Sequence, residues 1–598
     1  MSTKVPNGTR VTIARAVAIA VKLLRAHRFA VIVGMLCIQG ALVWTLPLMT
    51  ALLRGALHIV GVRGINQDTI GEVATSPAVL LVFLGIAVTA TVLILTEITL
   101  FAVIAHLALD GKRLTFTNVW QQSKATARKA ASRQGPLLIP YLTLLLPVSQ
   151  VGFSSVLTAH VVVPKFVSGE LLKTTWGGIV YGVASAAIVY LILRSVLFPA
   201  LVCRDDTTIV QALRGSFRMT TWRTLIGFGT VMFTAVLVAS LTLALFVGIG
   251  AAPVAIWQTH ASAGVMIGVL ELVRFFVTGA AAAFLSFFFV AYVRLTHGLP
   301  AAGPKPDRSA ARTRTAALTL VVLAAFFASP QVVGAVNSAT FAAGNSPEII
   351  GHRGYPARAV ENSIAGIREA ADAGADMVET DIQETRDGGI VVFHDVALSR
   401  MTGDSRNIYE LTEAEATSLT LRQDGRTADL PTLAEFVSAA DEQGVRLLVE
   451  VKPHGKEPDG FAGRVVEELN RLDPDKTHMI QSLDRDLIDD IGRIDPDRDT
   501  AHVVGFQVGG LPAGSSDSTA VIEDWSYTDR IRTEARRDGR GLYVWTVNDL
   551  DLLNDYVARG VDGIITDEVA LAETSRQRIG AGPIAFYFAR ARGFVAIE

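Results

Sequence analysis

Charge is scarce in this chain: Asp, Glu, Lys and Arg make up 18% of its 598 residues, against roughly 25% in soluble domains. Half of the residues are hydrophobic, so the shortfall excludes an ordinary soluble protein and points to a membrane. Cysteine is scarcer still. Cys37 and Cys203 both lie in or beside apolar segments, which leaves neither a disulfide framework nor a thiolate metal site and reads both as small hydrophobes. A basic stripe is missing and the net charge is −2, which excludes a nucleic-acid binder. A single compact body is excluded by length, since single cores rarely grow past roughly 250–300 residues.

What the chain has in abundance is long apolar runs. Seven are long enough to cross a bilayer, which takes about 20 residues: 29–53, 80–107, 136–162, 176–200, 225–250, 264–293 and 316–341. The first is no cleavable signal peptide, because it is long, starts late and is followed by further spans. Lys and Arg are retained preferentially in cytoplasmic loops. The N-terminal arm and the loops after spans two, four and six hold 21 of them, while the alternate loops hold only Arg54, Arg63, Lys165 and Lys173. The expectation is a multi-pass protein of the cell membrane with its N-terminus in the cytoplasm and residues from 342 onward outside the cell. Span six carries Glu271 and Arg274, three residues apart. They either pair on one helix face inside the membrane or sit at its interface with the span starting later.

After Ala342 the composition becomes that of a water-soluble domain. Short Val/Ile/Leu-rich runs alternate with amphipathic stretches: EIIGH, ADMVETDI, GIVVFHD, VRLLVEVK, HMIQSL, AHVVGF, LYVWTV and DGIITD. Eight such βα units predict a closed (β/α)₈ TIM barrel. The expected architecture is therefore an all-α polytopic membrane domain over 1–342, a barrel over 343–575 and a tail over 576–598. The tail mixes Arg with Phe and Tyr, and either lies on the membrane surface or forms a last helix capping the barrel.

In such a barrel, side chains at the C-terminal ends of strands converge on one mouth. His352 and Arg353 follow the first run, Glu379 and Asp381 end the second, His394 and Asp395 end the third, and Glu450 and Lys452 end the fourth. Residues two apart on a strand face the same way, so Glu379 pairs with Asp381 and Glu450 with Lys452. Three carboxylates facing one interior repel unless a cation sits among them. An all-oxygen set without cysteine favours Mg²⁺ or Ca²⁺ over Zn²⁺. Two histidines suit proton transfer near neutral pH, and Arg353 and Lys452 supply charge for phosphate oxygens. Taken singly, a strand-end His is a packing residue and an E-x-D pair a solvated face; the conjunction points to a site.

The stretch GHRGYPARAVENSIAGIREAADAGADMVETDIQETRDGGIVVFHDVALSRMTG closely resembles the glycerophosphodiester phosphodiesterase family, whose pattern runs HRG, EN, GAD, E-x-D, T-DG, HD, L-R-TG. DLPTLAEF, LLVEVKP, IQSL, YVWTVND and GVDGIITDE resemble its later blocks, so the likeness covers the whole soluble domain. It implies metal binding by Glu379, Asp381 and Glu450, general acid–base catalysis by His352 and His394, phosphate binding by Arg353 and Lys452, and Trp545 beside the substrate. It also implies hydrolysis of a glycerophosphodiester to glycerol 3-phosphate and an alcohol. Two family prolines are replaced, by Val360 before the EN pair and by the Glu568–Val569 pair after Asp567; neither touches a proposed ligand. In outline, the membrane half is similar to the membrane region of some bacterial members.

Besides this hydrolase, two other readings fit the sequence. One is a phospholipase D-like enzyme cutting headgroups from intact lipids; the other is a transport or sensing protein whose barrel only binds. The lipid bilayer and a glycerophosphodiester are the expected partners.

Overall fold

The computed structural model describes residues 9–145, 175–299, 332–337, 339, 346–511 and 517–594. The third and seventh expected spans lie largely outside them. Four described helices are long and apolar enough to cross a membrane: Pro77–Leu109 (α2), Trp176–Val202, Trp222–Trp257 (α3) and His260–Thr296 (α4). The first expected span lies in helix Arg28–Val60 (α1), which contains Pro47. At 1.5 Å per residue, the 36 residues of α3 run for about 54 Å, well beyond a hydrocarbon core of about 30 Å. Both α3 and α4 pack against the helix that follows the soluble domain.

That domain is a closed barrel of eight parallel strands: Glu348–Gly351 (β1), Met377–Glu384 (β2), Arg446–Val451 (β3), Met479–Ser482 (β4), Thr500–Val504 (β5), Thr519–Glu523 (β6), Gly541–Trp545 (β7) and Gly563–Thr566 (β8). Wall helices begin on side-chain caps: Ser363, Thr432, Asp484, Thr528 and Asp549 each accept a backbone N–H of the following first turn, which satisfies donors that helix geometry leaves open. Ile350, Met377, Leu448, Met479, Val503, Val521, Tyr543 and Ile565 fill the barrel interior.

One expected strand changes place. GIVVFHD does not enter the barrel; Ile390–Val392 folds back antiparallel on β2, pairing Ile382 with Val392. The physical reason is length: only five residues separate β2 from it, and a parallel crossover needs a dozen or more. The barrel strand missing from the sequence reading is β6, TAVIE, which follows the Gly- and Ser-rich stretch GGLPAGSSDS. Residues 390–430 instead build a side lobe with its own small core around Phe393, Leu398, Ile408, Leu421 and Leu430.

The barrel sits at the end of the membrane domain where α1 finishes and α2 starts. The wall helix after β8, Val569–Gly580, runs through the boundary expected at 575. It leads to Pro583–Ala591 (α5), the tail helix, which packs between the barrel and α3–α4. Tyr587 Oη donates to Val247 O (2.7 Å), and a Cβ at Gly250 would run into that hydroxyl. Glu271 and Arg274 do pair, at 2.8 Å. The Arg274 guanidinium also stacks 5.1 Å from the Phe594 ring centroid, which puts the pair at the barrel end of α4 and leaves an apolar stretch of membrane-spanning length beyond it. At the opposite end, Arg294 binds Asp110 (2.6 Å), and Lys129 Nζ donates to the carbonyls of Val202, Arg204 and Thr207.

Candidate active site

Along most barrel strands the inward series passes from apolar at the floor to polar at the mouth, β5 with Ala501 and Val503 being the apolar exception. Met377 is followed by Glu379 and Asp381, Leu448 by Glu450 and Lys452, Met479 by Gln481, Tyr543 by Trp545, and beyond the strand ends Ile350 by His352 and Ile565 by Asp567. All eight site residues expected from sequence line one cavity of about 770 Å³ at this mouth. His394 reaches it from the side lobe rather than from a barrel strand.

Glu379, Asp381 and Glu450 are buried, with one carboxylate oxygen of each within 4.8 Å of the others. Their other contacts hold them in place. Glu379 accepts from Arg353 N (2.9 Å), Asp381 from Asn362 Nδ2 (2.8 Å) and Glu450 from Gln481 Nε2 (2.9 Å). Arg353 adopts φ +56°, a left-handed conformation that costs free energy outside glycine and here aims its N–H at Glu379. Burial, then the neighbouring Asp381 carboxylate, push Glu379 up to about 8. Burial acts the same way on Asp381, but Lys452 (3.2 Å) and Arg353 (3.3 Å) hold it well below the usual range. Lys452 also binds Glu450. Three fixed carboxylates with inward oxygens fit a hard divalent cation, which would supply the charge needed to keep all three ionised.

The two imidazoles are oriented alike and tuned apart. His352 Nδ1 lies 2.7 Å from Asp567 Oδ1, and His394 Nδ1 lies 2.6 Å from Asp395 Oδ1. A carboxylate only accepts, so each Nδ1 carries a proton and each Nε2 is left for chemistry. Burial lowers both. At His352 this is outweighed by Asp567, with help from Glu379 against Arg353, and its pKa is raised. At His394 burial prevails over Asp381 and Asp395, with Arg353 and Lys452 adding to it, and the pKa is lowered. The same surroundings thus shift the two rings in opposite directions.

Several residues at the site were absent from the sequence reading's ligand set. Asp567, held by Asn548 Nδ2 (2.5 Å), sits in the quoted block GIITDE. Glu361 and Asn362 are the EN pair. Glu361 joins Arg353 (3.1 Å) to Arg400, and Arg400 also binds Asp395. Asn362 Oδ1 accepts from Thr380 Oγ1 (3.0 Å) and Asp381 N (3.2 Å).

Asp567→Asn is expected to move the alkaline limb of the kcat/KM profile to lower pH. A group whose folded pKa is raised by a carboxylate loses that support when the charge goes, so burial then dominates and His352 gives up its proton at lower pH. A pH–rate profile checks this; an unmoved alkaline limb would show that His352 does not govern it.

Residues 20–328 match the family model described as the membrane domain of glycerophosphoryl diester phosphodiesterase, and residues 352–571 match the glycerophosphoryl diester phosphodiesterase family. The Bacillus subtilis protein YhdW is 28% identical over 229 residues, covering 37% of this chain and 93% of that protein. A glycerophosphodiester phosphodiesterase of Caldanaerobacter subterraneus is 24% identical over 240 residues, covering 37% of this chain and 93% of its own. Among solved structures, an Oleispira antarctica phosphodiesterase in complex with the product sn-glycerol-3-phosphate is 21% identical, with a TM-score of 0.35, covering 40% of this chain and 98% of that one. With two models matched in order, the first over more than half of its length, this chain belongs to the glycerophosphoryl diester phosphodiesterase family and is a phosphodiesterase that carries the family's membrane domain.

Proposed function

We propose that the barrel hydrolyses glycerophosphodiesters to glycerol 3-phosphate and an alcohol on the outer face of the membrane. In this reading Glu379, Asp381 and Glu450 hold one divalent ion, Mg²⁺ or Ca²⁺, and His352 and His394 act as acid and base. The observation that carries it is the buried carboxylate trio with two oppositely tuned imidazoles in the same cavity. When bound, the metal would neutralise phosphate charge and polarise a P–O bond. Arg353 and Lys452 hold the remaining phosphate oxygens, and Trp545 walls the cavity beside the substrate. His394 Nε2 takes the proton from the attacking hydroxyl as its oxygen bonds to phosphorus. Attack by water gives glycerol 3-phosphate directly, and attack by the glycerol's own hydroxyl gives a cyclic phosphate that a second attack, by water, opens to glycerol 3-phosphate. The P–O bond to the leaving alcohol breaks, and His352 Nε2 protonates the departing oxygen.

Placement outside the cell is supported by the loops the barrel touches: 61–76 and 257–260 are poor in Lys and Arg, while Lys112, Arg113, Lys129 and Arg204 lie at the far end.

The full-length protein, assayed with glycerophosphocholine, glycerophosphoglycerol and intact phosphatidylcholine, is expected to release glycerol 3-phosphate from the two diesters only, and to stop in chelator. Activity untouched by chelation, or turnover of phosphatidylcholine alone, would overturn this reading.

A further inference from the structure

Seven of the eight strands are followed by a wall helix; after β5 the described residues hold none. The outward side chains of β5, Thr500, His502 and Val504, are nonetheless fully buried. Part of their cover comes from the membrane domain, through residues 62–73 between α1 and α2. Gly64 and Ile65 pair antiparallel with Gly509 and Val508, and Gly510 N donates to Arg63 O (3.1 Å). Gln67 Nε2 donates to Val503 O (3.2 Å), and Asp68 lies 3.6 Å from His502 Nε2. Ile65, Val73, Leu57 and Val79 form an apolar cluster into which Phe506 and Val508 of the barrel pack.

The segment is built for this contact. Asn66 is 2% exposed, and its Oδ1 accepts from Asp68 N (3.0 Å) and Thr69 N (3.1 Å). That turn presents Gln67 and Asp68 to β5. Gly64 is close against the barrel, and a Cβ there would collide with Gln507 and Gly510 O. The consequence for the site follows from strand alternation. The segment grips β5 from outside at His502 and Val503 O, while the Val503 side chain lines the catalytic cavity.

We infer that Asn66 and Gln67 are positioning residues of the phosphodiesterase: the membrane domain supplies a piece of barrel wall where the described residues of the soluble domain place no helix, and so fixes the cavity face of β5. The inference rests on the proposed function for its kinetic readout. It predicts a loss in substrate binding rather than in proton transfer, because neither imidazole is touched.

The test uses the full chain. Asn66→Ala is expected to raise KM by roughly fivefold to tenfold, the size of a lost hydrogen-bonded contact, with kcat nearly unchanged. Asn66→Asp keeps the acceptor oxygen and is expected to restore the wild-type KM. Gly64→Val should act like Asn66→Ala, whereas Asp538→Asn, which weakens the Arg63 pair (3.5 Å) and the exposed Arg537 pair (3.1 Å) without touching the Asn66 turn, should not. Hydrogen exchange over 500–504 reads the same contact without turnover, and should quicken in Asn66→Ala alone of the two Asn66 variants. Unchanged KM and exchange in both Asn66→Ala and Gly64→Val would overturn the inference. So would a fall in kcat matching lost folded protein, or an Asn66→Asp variant as impaired as Asn66→Ala. A wild-type protein that hydrolyses no diester would instead sink the proposed function, and exchange alone would decide the wall.

Discussion

His394→Ala is expected to lower kcat/KM by roughly 10²–10⁴-fold, the usual worth of a positioned acid or base, with the barrel still folded by circular dichroism. His352→Ala should fall by a similar factor, and substrate chemistry tells the two apart. A diester with a p-nitrophenol leaving group needs no protonation as its bond breaks, so it should restore most of the rate to His352→Ala and little to His394→Ala. Equal rescue of both variants would refute the division of roles drawn from Asp567 beside one ring and the burial of the other.

The second large effect is expected at the carboxylates. Glu450→Gln or Asp381→Asn should cut activity by at least about 10³-fold, since electrostatic stabilisation by a bound metal is worth several kcal/mol and each 1.36 kcal/mol is tenfold in rate. The same variants should lose calorimetric binding of Mg²⁺ or Ca²⁺. Glu379→Gln should match them in activity without loss of folding, because burial and the neighbouring Asp381 carboxylate already push that carboxyl toward its neutral form in metal-free protein. Variants that keep both activity and metal binding would dismiss the trio as a ligand set.

The features legible in the sequence are those written locally. Period-two spacing placed Glu379 with Asp381 and Glu450 with Lys452 on inward faces, and the register pairs Asp381 directly with Glu450 across neighbouring strands. Local reading failed where distant segments decide. Ile390–Val392 has the composition of a buried strand, and only the short connection to β2 betrays the fold-back. β6, TAVIE, is buried along its whole length, yet it is short and follows a Gly- and Ser-rich stretch that reads as loop. Asp567 needed His352, more than two hundred residues earlier, to acquire a meaning. Nothing in residues 62–73 announces a barrel as their partner.

The bond from Gln67 to Val503 joins positions 436 residues apart, and this separation sets an order of assembly. On the ribosome the chain grows from its N-terminus, so the stretch between the first two membrane helices is made and inserted long before the fifth strand exists. The phosphodiesterase domain then matures against a surface already waiting at the membrane, and a misinserted N-terminal half should yield a defective enzyme as well as a mislocated one.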